Sequence, residues 1–151
     1  MTKTMIVTAT LGLALAGCGD ESTASTQKET ETTPATFAEQ VTAGQKAYGE
    51  YCASCHGASG EGTAQGPRVV GLAAGALPLD PPPTAKVRKT KFETVADIAA
   101  FAVANMPANA PGSLEEEEYW SILAFDLKAN GITLDHKLDA SLAATLVIPR
   151  E

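Results

Sequence analysis

The 151-residue sequence predicts an all-α fold, because three stretches carry helical spacing or helix-boundary signals and none alternates as a strand does. No internal repeat is visible. Residues 61–90, between the first and second helices, are rich in Gly and Pro and are predicted to be mostly loop. Only 5% of the chain is aromatic, so few large side chains are available for a core. A bound apolar cofactor would add buried apolar surface, which the side chains of so small a domain supply only in part.

The first helix is predicted from Phe37 to about Cys52, where apolar residues including Val41 and Tyr48 recur at helical spacing. Gly44 lies in the middle of this stretch, and a glycine inside a helix costs about 1 kcal/mol relative to alanine. We therefore expect another backbone to pass close to Gly44.

The second helix is predicted to begin after Thr94, which forms a capping-box pattern with Asp97 ahead of the apolar stretch IAAFAVA. It should end before Met106-Pro107, because the residue preceding a proline disfavours helical backbone angles. Met106 is thus expected at the junction between a helix and a loop constrained by proline.

The third helix has boundary signals at both ends. Ser113 with Glu116 makes a second capping-box pattern, and the acidic run 115–118 complements the positive end of a helix. Asn130-Gly131 is a typical helix end. The acidic run could also dock a partner, but we interpret it as capping and solvation.

The strongest chemical signal is YCASCHG at residues 51–57. Helix positions i, i+3 and i+4 share one face, so Cys52, Cys55 and His56 should present their side chains in one direction. Three kinds of site use this pattern: a thioredoxin-like dithiol, half of a zinc site, and a c-type haem with two thioether links and the histidine bound to iron.

Two of these sites fit the rest of the chain poorly. A thioredoxin-like dithiol should follow a strand in a βαβ unit, and the sequence shows no such unit. A structural zinc site needs four ligands, whereas His136 is the only further Cys or His in residues 37–151. One covalent haem c, attached to Cys52 and Cys55, is therefore the predicted cofactor.

A six-coordinate haem iron needs a second axial ligand besides His56. Outside residues 1–17, Met106 is the only methionine, and besides His56 the only histidine is His136. Met106 is the predicted ligand, because the loop NMPANAPG could hold a thioether rigidly, whereas His136 is flanked by charged residues. The alternatives are His136 or an open position. A thioether ligand raises the reduction potential and blocks the iron, which indicates an electron carrier rather than a catalyst.

Taken in order, these motifs resemble class I cytochromes c, the small monohaem electron carriers whose iron has histidine and methionine ligands. The resemblance covers residues 37–131. Gly44 and Tyr48 resemble the Gly-x-x-x-aromatic pattern of the family's first helix, YCASCHG its haem-attachment site, and Asn105-Met106-Pro107 its distal loop.

The resemblance implies a fold of three main helices around one covalently bound haem. It implies that His56 binds iron through Nε2 and donates its other ring N–H to the carbonyl of Pro67, which orients the ring. It also implies that the third helix, YWSILAFDLKANG, crosses the first at Gly44.

The ends of the chain predict export and a membrane tether. Residues 1–17 have the architecture of a signal peptide, and LAGC at 15–18 resembles a bacterial lipobox, so Cys18 is the predicted lipidation site. Residues 18–36 are predicted to be a disordered tether rich in Thr, Ser and Glu. Residues 37–131 form the predicted domain. The tail 132–151 lies outside the resemblance and would either pack on the domain or reach a partner.

The net charge of −7 makes nucleic acid an unfavourable partner. One basic cluster stands out on this acidic chain, and it would either steer an acidic redox partner or form a solvated loop. The cluster consists of Lys86, Arg88, Lys89 and Lys91.

The predicted function is single-electron transfer by a His/Met-ligated c-type haem in the bacterial cell envelope, between redox proteins and without a small-molecule substrate. One alternative is a haem enzyme or gas sensor with an open sixth position, which carbon monoxide binding would reveal. Another is a fixed cytochrome subunit of a dehydrogenase or oxidase complex, which would co-purify with its partners.

Overall fold

The computed structural model describes residues 33–150, and within that range it confirms the predicted all-α fold. The only β pairing among these residues is an isolated bridge between Thr94 and Val147. The predictions for the signal peptide, for Cys18 and for most of the tether fall outside the described residues. The helices are α1 (Phe37–Tyr51), α2 (Ala53–His56), α3 (Val95–Asn105), α4 (Glu116–Ala129) and α5 (Ala140–Thr145), with a 3-10 turn at Leu72–Ala74.

The main packing interaction of the fold is the crossing of α1 and α4. Gly44 is buried on α1, and a Cβ atom at this position would clash with the backbone carbonyl of Ser121 on α4. The two helices therefore approach to backbone contact, as expected from a glycine inside a helix. Beside the crossing, the rings of Tyr48 and Phe125 lie 5.1 Å apart between centroids.

The start of α3 confirms the predicted capping box. The Asp97 carboxylate accepts from the backbone N–H of Thr94 at 2.8 Å, and α3 ends at Asn105, directly before Met106. The same device begins α1, where Thr36 and Glu39 cap each other.

The start of α4 differs from the prediction, because the capping box is formed by Glu115 and Glu118 rather than by Ser113 and Glu116. The backbone N–H of Ser113 still belongs to a turn and donates to the carbonyl of Ala110 at 3.3 Å. Glu118 instead reaches back to the backbone N–H of Glu115 at 2.8 Å. The predicted end is confirmed, with Asn130 as the C-cap and Gly131 at a positive φ of 82°.

The tail packs on the domain rather than standing away from it. Leu138 and Ile148 are completely or almost completely buried and belong to the same core as α3 and α4. The buried side chain of Gln40 on α1 donates to the carbonyl of Leu138 at 2.9 Å and accepts from its N–H at 2.7 Å. An ion pair of 2.7 Å between Lys137 and Glu117 adds a second attachment to α4.

The predicted basic cluster is not a uniform positive patch, because Arg88 is buried. Its guanidinium donates to the carbonyl oxygens of Pro78 and Asp80 and lies 4.0 Å from the centroid of the Phe92 ring. These two hydrogen bonds pair the guanidinium of Arg88 in its buried position. Lys91 forms an exposed ion pair of 3.4 Å with Asp80, which partly offsets the positive charge of Lys91.

No helix within residues 33–150 is long and apolar enough to cross a membrane.

Candidate functional site

The motif residues Cys52, Cys55 and His56 lie on one helical turn. Cys52 ends α1 and precedes α2, and its carbonyl accepts from the N–H of Cys55 at 3.1 Å and of His56 at 2.9 Å. Both thiols are half-buried and free, without a disulfide. The turn therefore offers two unpaired thiols and one imidazole from the same short segment.

The orientation of His56 is determined by a hydrogen bond to the loop that follows. Its Nδ1 lies 2.7 Å from the carbonyl oxygen of Pro67. Because a carbonyl oxygen can only accept, Nδ1 must carry the proton, and Nε2 is then the nitrogen with a lone pair for a metal. This is the contact that the resemblance to cytochromes c implied for Pro67.

The loop that carries Pro67 is folded back under the motif by several hydrogen bonds. The hydroxyl of Thr63 donates to the carbonyl of Cys55 at 2.5 Å, and the N–H of Gly62 donates to the carbonyl of His56 at 2.7 Å. Gly66 is buried, and a Cβ there would lie 2.8 Å from the carbonyl oxygen of Cys55 and 3.1 Å from Cε1 of His56. Only glycine lets the loop pass this close to the imidazole.

The far side of the same loop is fixed by the end of α4. The Asn130 amide donates to the carbonyl of Val69 at 2.9 Å and accepts from the N–H of Gly71 at 2.8 Å. From sequence, Asn130 was recognisable only as a helix-ending residue. Its side-chain contacts depend on a loop about sixty residues earlier in the chain, which local patterns do not reveal.

Met106 lies on a different segment, at the C-cap of α3. Its N–H donates to the carbonyl of Ala102 at 2.7 Å, and its own carbonyl accepts from the Tyr119 hydroxyl at 2.6 Å. These contacts tie Met106 to α3 and α4, whereas Cys52, Cys55, His56 and Pro67 are joined to one another. His136, the alternative ligand, is exposed in the tail.

Asp126 on α4 is a buried acid that the sequence reasoning missed. Burial raises the pKa of this carboxyl to about 8, and the atom Oδ1 has no hydrogen-bond partner among residues 33–150. The helical spacing could have indicated this burial, because Asp126 lies four residues after Ile122 and three after Leu123, on the face of α4 that these buried residues share. It therefore belongs to the buried face of α4.

The electrostatic effect of Asp126 reaches the motif itself. Burial, followed by the negative charge of Asp126, raises the pKa of the Cys52 thiol to about 12. The same two causes, in the same order, raise the pKa of the Tyr48 hydroxyl, which donates to the carbonyl of Gly57 at 3.0 Å. The interior next to Cys52 is thus a region of low dielectric with an acidic group in it.

The donor chemistry fits a covalently attached haem better than the other two sites. Two unpaired thiols precede an imidazole whose Nε2 is left for iron, as thioether attachment and axial ligation require. Among the described residues no group of three or more His, Cys, Asp or Glu side chains could hold a metal ion, which argues against zinc. The absence of strands in the same range argues against a thioredoxin-like unit.

A separate groove of about 580 Å³ lies between α3 and α4 and contains none of the candidate ligands. Small apolar residues of α3, such as Ala99 and Val103, form one wall, and Tyr119 and Trp120 form the other.

Comparison with known proteins agrees with the haem interpretation. A family model described as cytochrome c oxidase, cbb3-type, subunit III, matches residues 39–125, which is more than half of the chain. The fold is similar to that of a chain in the crystal structure of the sulfane dehydrogenase SoxCD from Paracoccus pantotrophus, with a TM-score of 0.54 and 21% identity. This similarity covers 93% of the present chain and 69% of the SoxCD chain. No match was found among curated protein sequences. The chain therefore belongs to the family of cbb3-type cytochrome c oxidase subunit III, and it is a c-type cytochrome with covalently bound haem c that takes part in electron transfer.

Proposed function

We propose that the protein transfers single electrons between redox proteins through one haem attached to Cys52 and Cys55, with His56 and Met106 as the axial ligands of the iron. The observation that carries this proposal is the hydrogen bond of 2.7 Å from Nδ1 of His56 to the carbonyl oxygen of Pro67. It fixes the tautomer and the orientation that an iron-bound histidine needs. When bound, the haem supplies a reversible one-electron couple.

The chain's own residues hold the proximal side rigidly. Thr63 and Gly66 keep the loop against the backbone of Cys55, and Pro67 accepts the imidazole proton, so that the ring has little freedom to rotate. A rigid ligand reduces the reorganisation that accompanies each change of iron charge, as in other preorganised sites. Covalent attachment through two cysteines would retain the cofactor even when the chain unfolds.

Met106 is proposed as the distal ligand because of its position and the chemistry of the alternatives. It is half-buried, it follows α3 directly, and its carbonyl is held by Tyr119. His136 is exposed in the tail and has no comparable restraint. A thioether in the sixth position favours electron transfer over ligand binding or catalysis.

Covalent attachment is tested by producing the chain together with a haem-attachment system and staining for haem after denaturing electrophoresis. The wild type should carry one haem per chain by mass. A Cys52→Ala and Cys55→Ala double variant should carry none, whereas the control Ser54→Ala, at an exposed position inside the motif, should match the wild type. Covalent haem in the double variant, or its absence in the wild type, would refute the attachment.

The location in the bacterial cell envelope, with a lipid on Cys18, remains a proposal based on the leader sequence. A lipid anchor followed by the predicted tether would keep the domain beside the membrane while it reaches its donor and acceptor. In cell fractionation, Cys18→Ser should move the protein from the membrane to the soluble fraction. Continued membrane association of this variant would argue against the lipid.

A second candidate is a fixed subunit of a larger redox complex rather than a mobile carrier. Two observations favour it: the family description names an oxidase subunit, and the similar structure is titled as a sulfane dehydrogenase. Gentle solubilisation of membranes followed by affinity purification distinguishes the two. A stoichiometric partner supports the fixed subunit, and a lone cytochrome supports the mobile carrier.

A further inference from the structure

Asp126 presents an unusual combination of burial and missing partners. The residue as a whole is half-buried, but its carboxyl oxygen Oδ1 is inaccessible to solvent and has no hydrogen-bond partner in the described range. An unsatisfied buried carboxylate is costly, because the ionised form loses its hydration without compensation. Such a group in a small domain calls for an explanation in terms of function.

The groups around Asp126 do not supply the missing compensation. From α1, Tyr48 and Cys52 interact with it electrostatically, and neither is a cation. The same helix carries the exposed cation Lys46, but burial alone accounts for the raised pKa of Asp126, with no lowering by a positive charge. The Tyr48 hydroxyl is used by the carbonyl of Gly57. Glu61, which also acts on Tyr48, carries a further negative charge.

The other helices do not compensate either. Helix α3 also packs on α4. The only titratable side chain of α3 is Asp97, and its carboxylate caps the start of α3 itself. On α4 itself the nearest cation is Lys128, whose Nζ donates to the hydroxyl of Thr133. The first turn of α4 adds only acids, at Glu116, Glu117 and Glu118.

We propose that Asp126 is a redox-linked proton site, which takes up one proton when the haem attached at Cys52 is reduced and releases it on oxidation. The inference rests on the proposed attachment of haem to Cys52, the residue on which the Asp126 charge acts. Reduction brings one electron from a reduced partner protein to the iron and one proton from solvent to the Asp126 carboxylate. Oxidation reverses both transfers, so the total charge of the interior stays the same.

The physical reason is charge compensation at low dielectric. The oxidised iron carries one more positive charge than the reduced iron, so it favours the ionised carboxylate and lowers the pKa of Asp126. Between the pKa of the reduced protein and that of the oxidised protein, each electron is accompanied by a proton. In that window the reduction potential falls as pH rises, by up to about 59 mV for each tenfold decrease in proton concentration.

The test is voltammetry of the haem-loaded protein from about pH 5 to about pH 9, a range that brackets the titration of a perturbed carboxyl. The wild type should show a negative slope within this range. Asp126→Asn, which keeps the shape but cannot ionise, should lose it. Glu50→Gln removes an exposed acid two residues before Cys52 and should keep the wild-type slope. An unchanged slope in Asp126→Asn would assign the proton to another group and overturn the proposal.

A second readout needs only the wild type, which keeps the proposal testable if the variant folds poorly. Redox-difference infrared spectra should contain the C=O stretch of a protonated carboxylic acid in the reduced form that disappears on oxidation. A flat potential across the range, or a spectrum without this band, would contradict the role of Asp126. The optical spectrum and the haem stain of the same samples report separately whether the haem is attached and ligated.

Discussion

The hydroxyl of Tyr119 donates a hydrogen bond of 2.6 Å to the carbonyl oxygen of Met106. Tyr119 is buried on α4, while Met106 directly follows α3 as its C-cap, so this contact joins two helices at the point where the distal loop begins. The residue proposed as iron ligand is therefore held through its backbone by the next helix of the chain, from a position 13 residues later.

Tyr119→Phe should loosen the distal loop without disrupting the core. The variant keeps the ring but leaves the Met106 carbonyl unpaired, which costs about 1–3 kcal/mol. In the haem-loaded protein, the sulfur-to-ferric charge-transfer band should disappear at a lower temperature than in the wild type. Trp120→Phe, at the next position of α4, is the control: it removes a bond of 3.2 Å to Glu116 and part of a ring that packs against the core, but leaves the contact of Tyr119 with Met106 intact. Equal behaviour of both variants would remove Tyr119 from the support of Met106.

Met106→Ala should lower the reduction potential and open the iron to carbon monoxide, because the thioether both stabilises the reduced state and occupies the sixth position. Voltammetry and the ferrous spectrum under carbon monoxide measure the two effects. Val103→Ala, at an exposed position of the same helix, should change neither. A Met106→Ala protein with the wild-type potential and no carbon monoxide binding would show that Met106 is not the ligand.

Gly44→Ala should destabilise the fold, and Gly49→Ala should not. A methyl group at Gly44 would clash with the backbone of Ser121, and such overpacking costs about 1–3 kcal/mol. Gly49 lies on the same helix with open space around it, so alanine there should be neutral or stabilise by up to about 1 kcal/mol. Denaturant unfolding of both variants gives the comparison. Equal stability would contradict the close crossing of α1 and α4.

Asp126 should make the stability of the protein decrease as pH rises. Its pKa is raised from 3.8 to about 8 in the folded state, so the folded protein binds more protons than the unfolded chain between these values. The contribution of Asp126 to the free energy of unfolding is therefore fully present below about pH 4 and is lost as pH rises towards 8. The lowered pKa values of Glu39 and Asp97 act in the opposite direction, at acidic pH.

The relevant measurement is the difference in unfolding free energy between Asp126→Asn and the wild type as a function of pH. This difference should favour the variant increasingly from about pH 4 to about pH 8. The Glu39 and Asp97 contributions cancel in the difference because both proteins contain these residues. A difference that does not change with pH would mean that Asp126 is not buried as an acid.

Much of the fold follows from local signals in the sequence. The boundaries of α3 depend on Thr94, Asp97 and the proline after Met106, all within a few residues of the helix itself. Gly44 indicated that another backbone passes close to α1, and the family resemblance supplied α4 as that partner. Glycine alone is an incomplete signal, because Gly49 on the same helix has open space around it. These predictions succeed because the contacts join residues that are close in sequence, or because the contact requires a residue as small as glycine.

The predictions that were incorrect or left open involve partners that are not visible locally. Ser113 has the right spacing for a cap, but the turn from Ala110 takes its N–H, and the helix starts later. Arg88 looks like a surface charge in the sequence, but in the fold its guanidinium is buried and donates to the carbonyl of Pro78. The tail 132–151 could not be placed, because the buried amide of Gln40 that binds it lies about a hundred residues earlier.

The candidate site shows the same division. The proposed roles of Cys52, Cys55 and His56 come from the sequence because the motif is contained in five consecutive residues. The contact of His56 with Pro67, which the structure shows, was available through the family resemblance. The hydrogen bonds of Tyr119 and Asn130, and the buried carboxyl of Asp126, belong to α4 and act on segments elsewhere in the chain. A single sequence gives no direct signal for such pairs.

The most direct test of His/Met ligation and electron transfer is the optical spectrum of the haem-loaded protein, first oxidised and then reduced under carbon monoxide. A sulfur-to-ferric charge-transfer band, together with a ferrous spectrum that carbon monoxide does not shift, is the result expected for Met106 ligation. A ferrous spectrum that shifts readily under carbon monoxide would contradict it and would indicate the open sixth position of a haem enzyme or gas sensor.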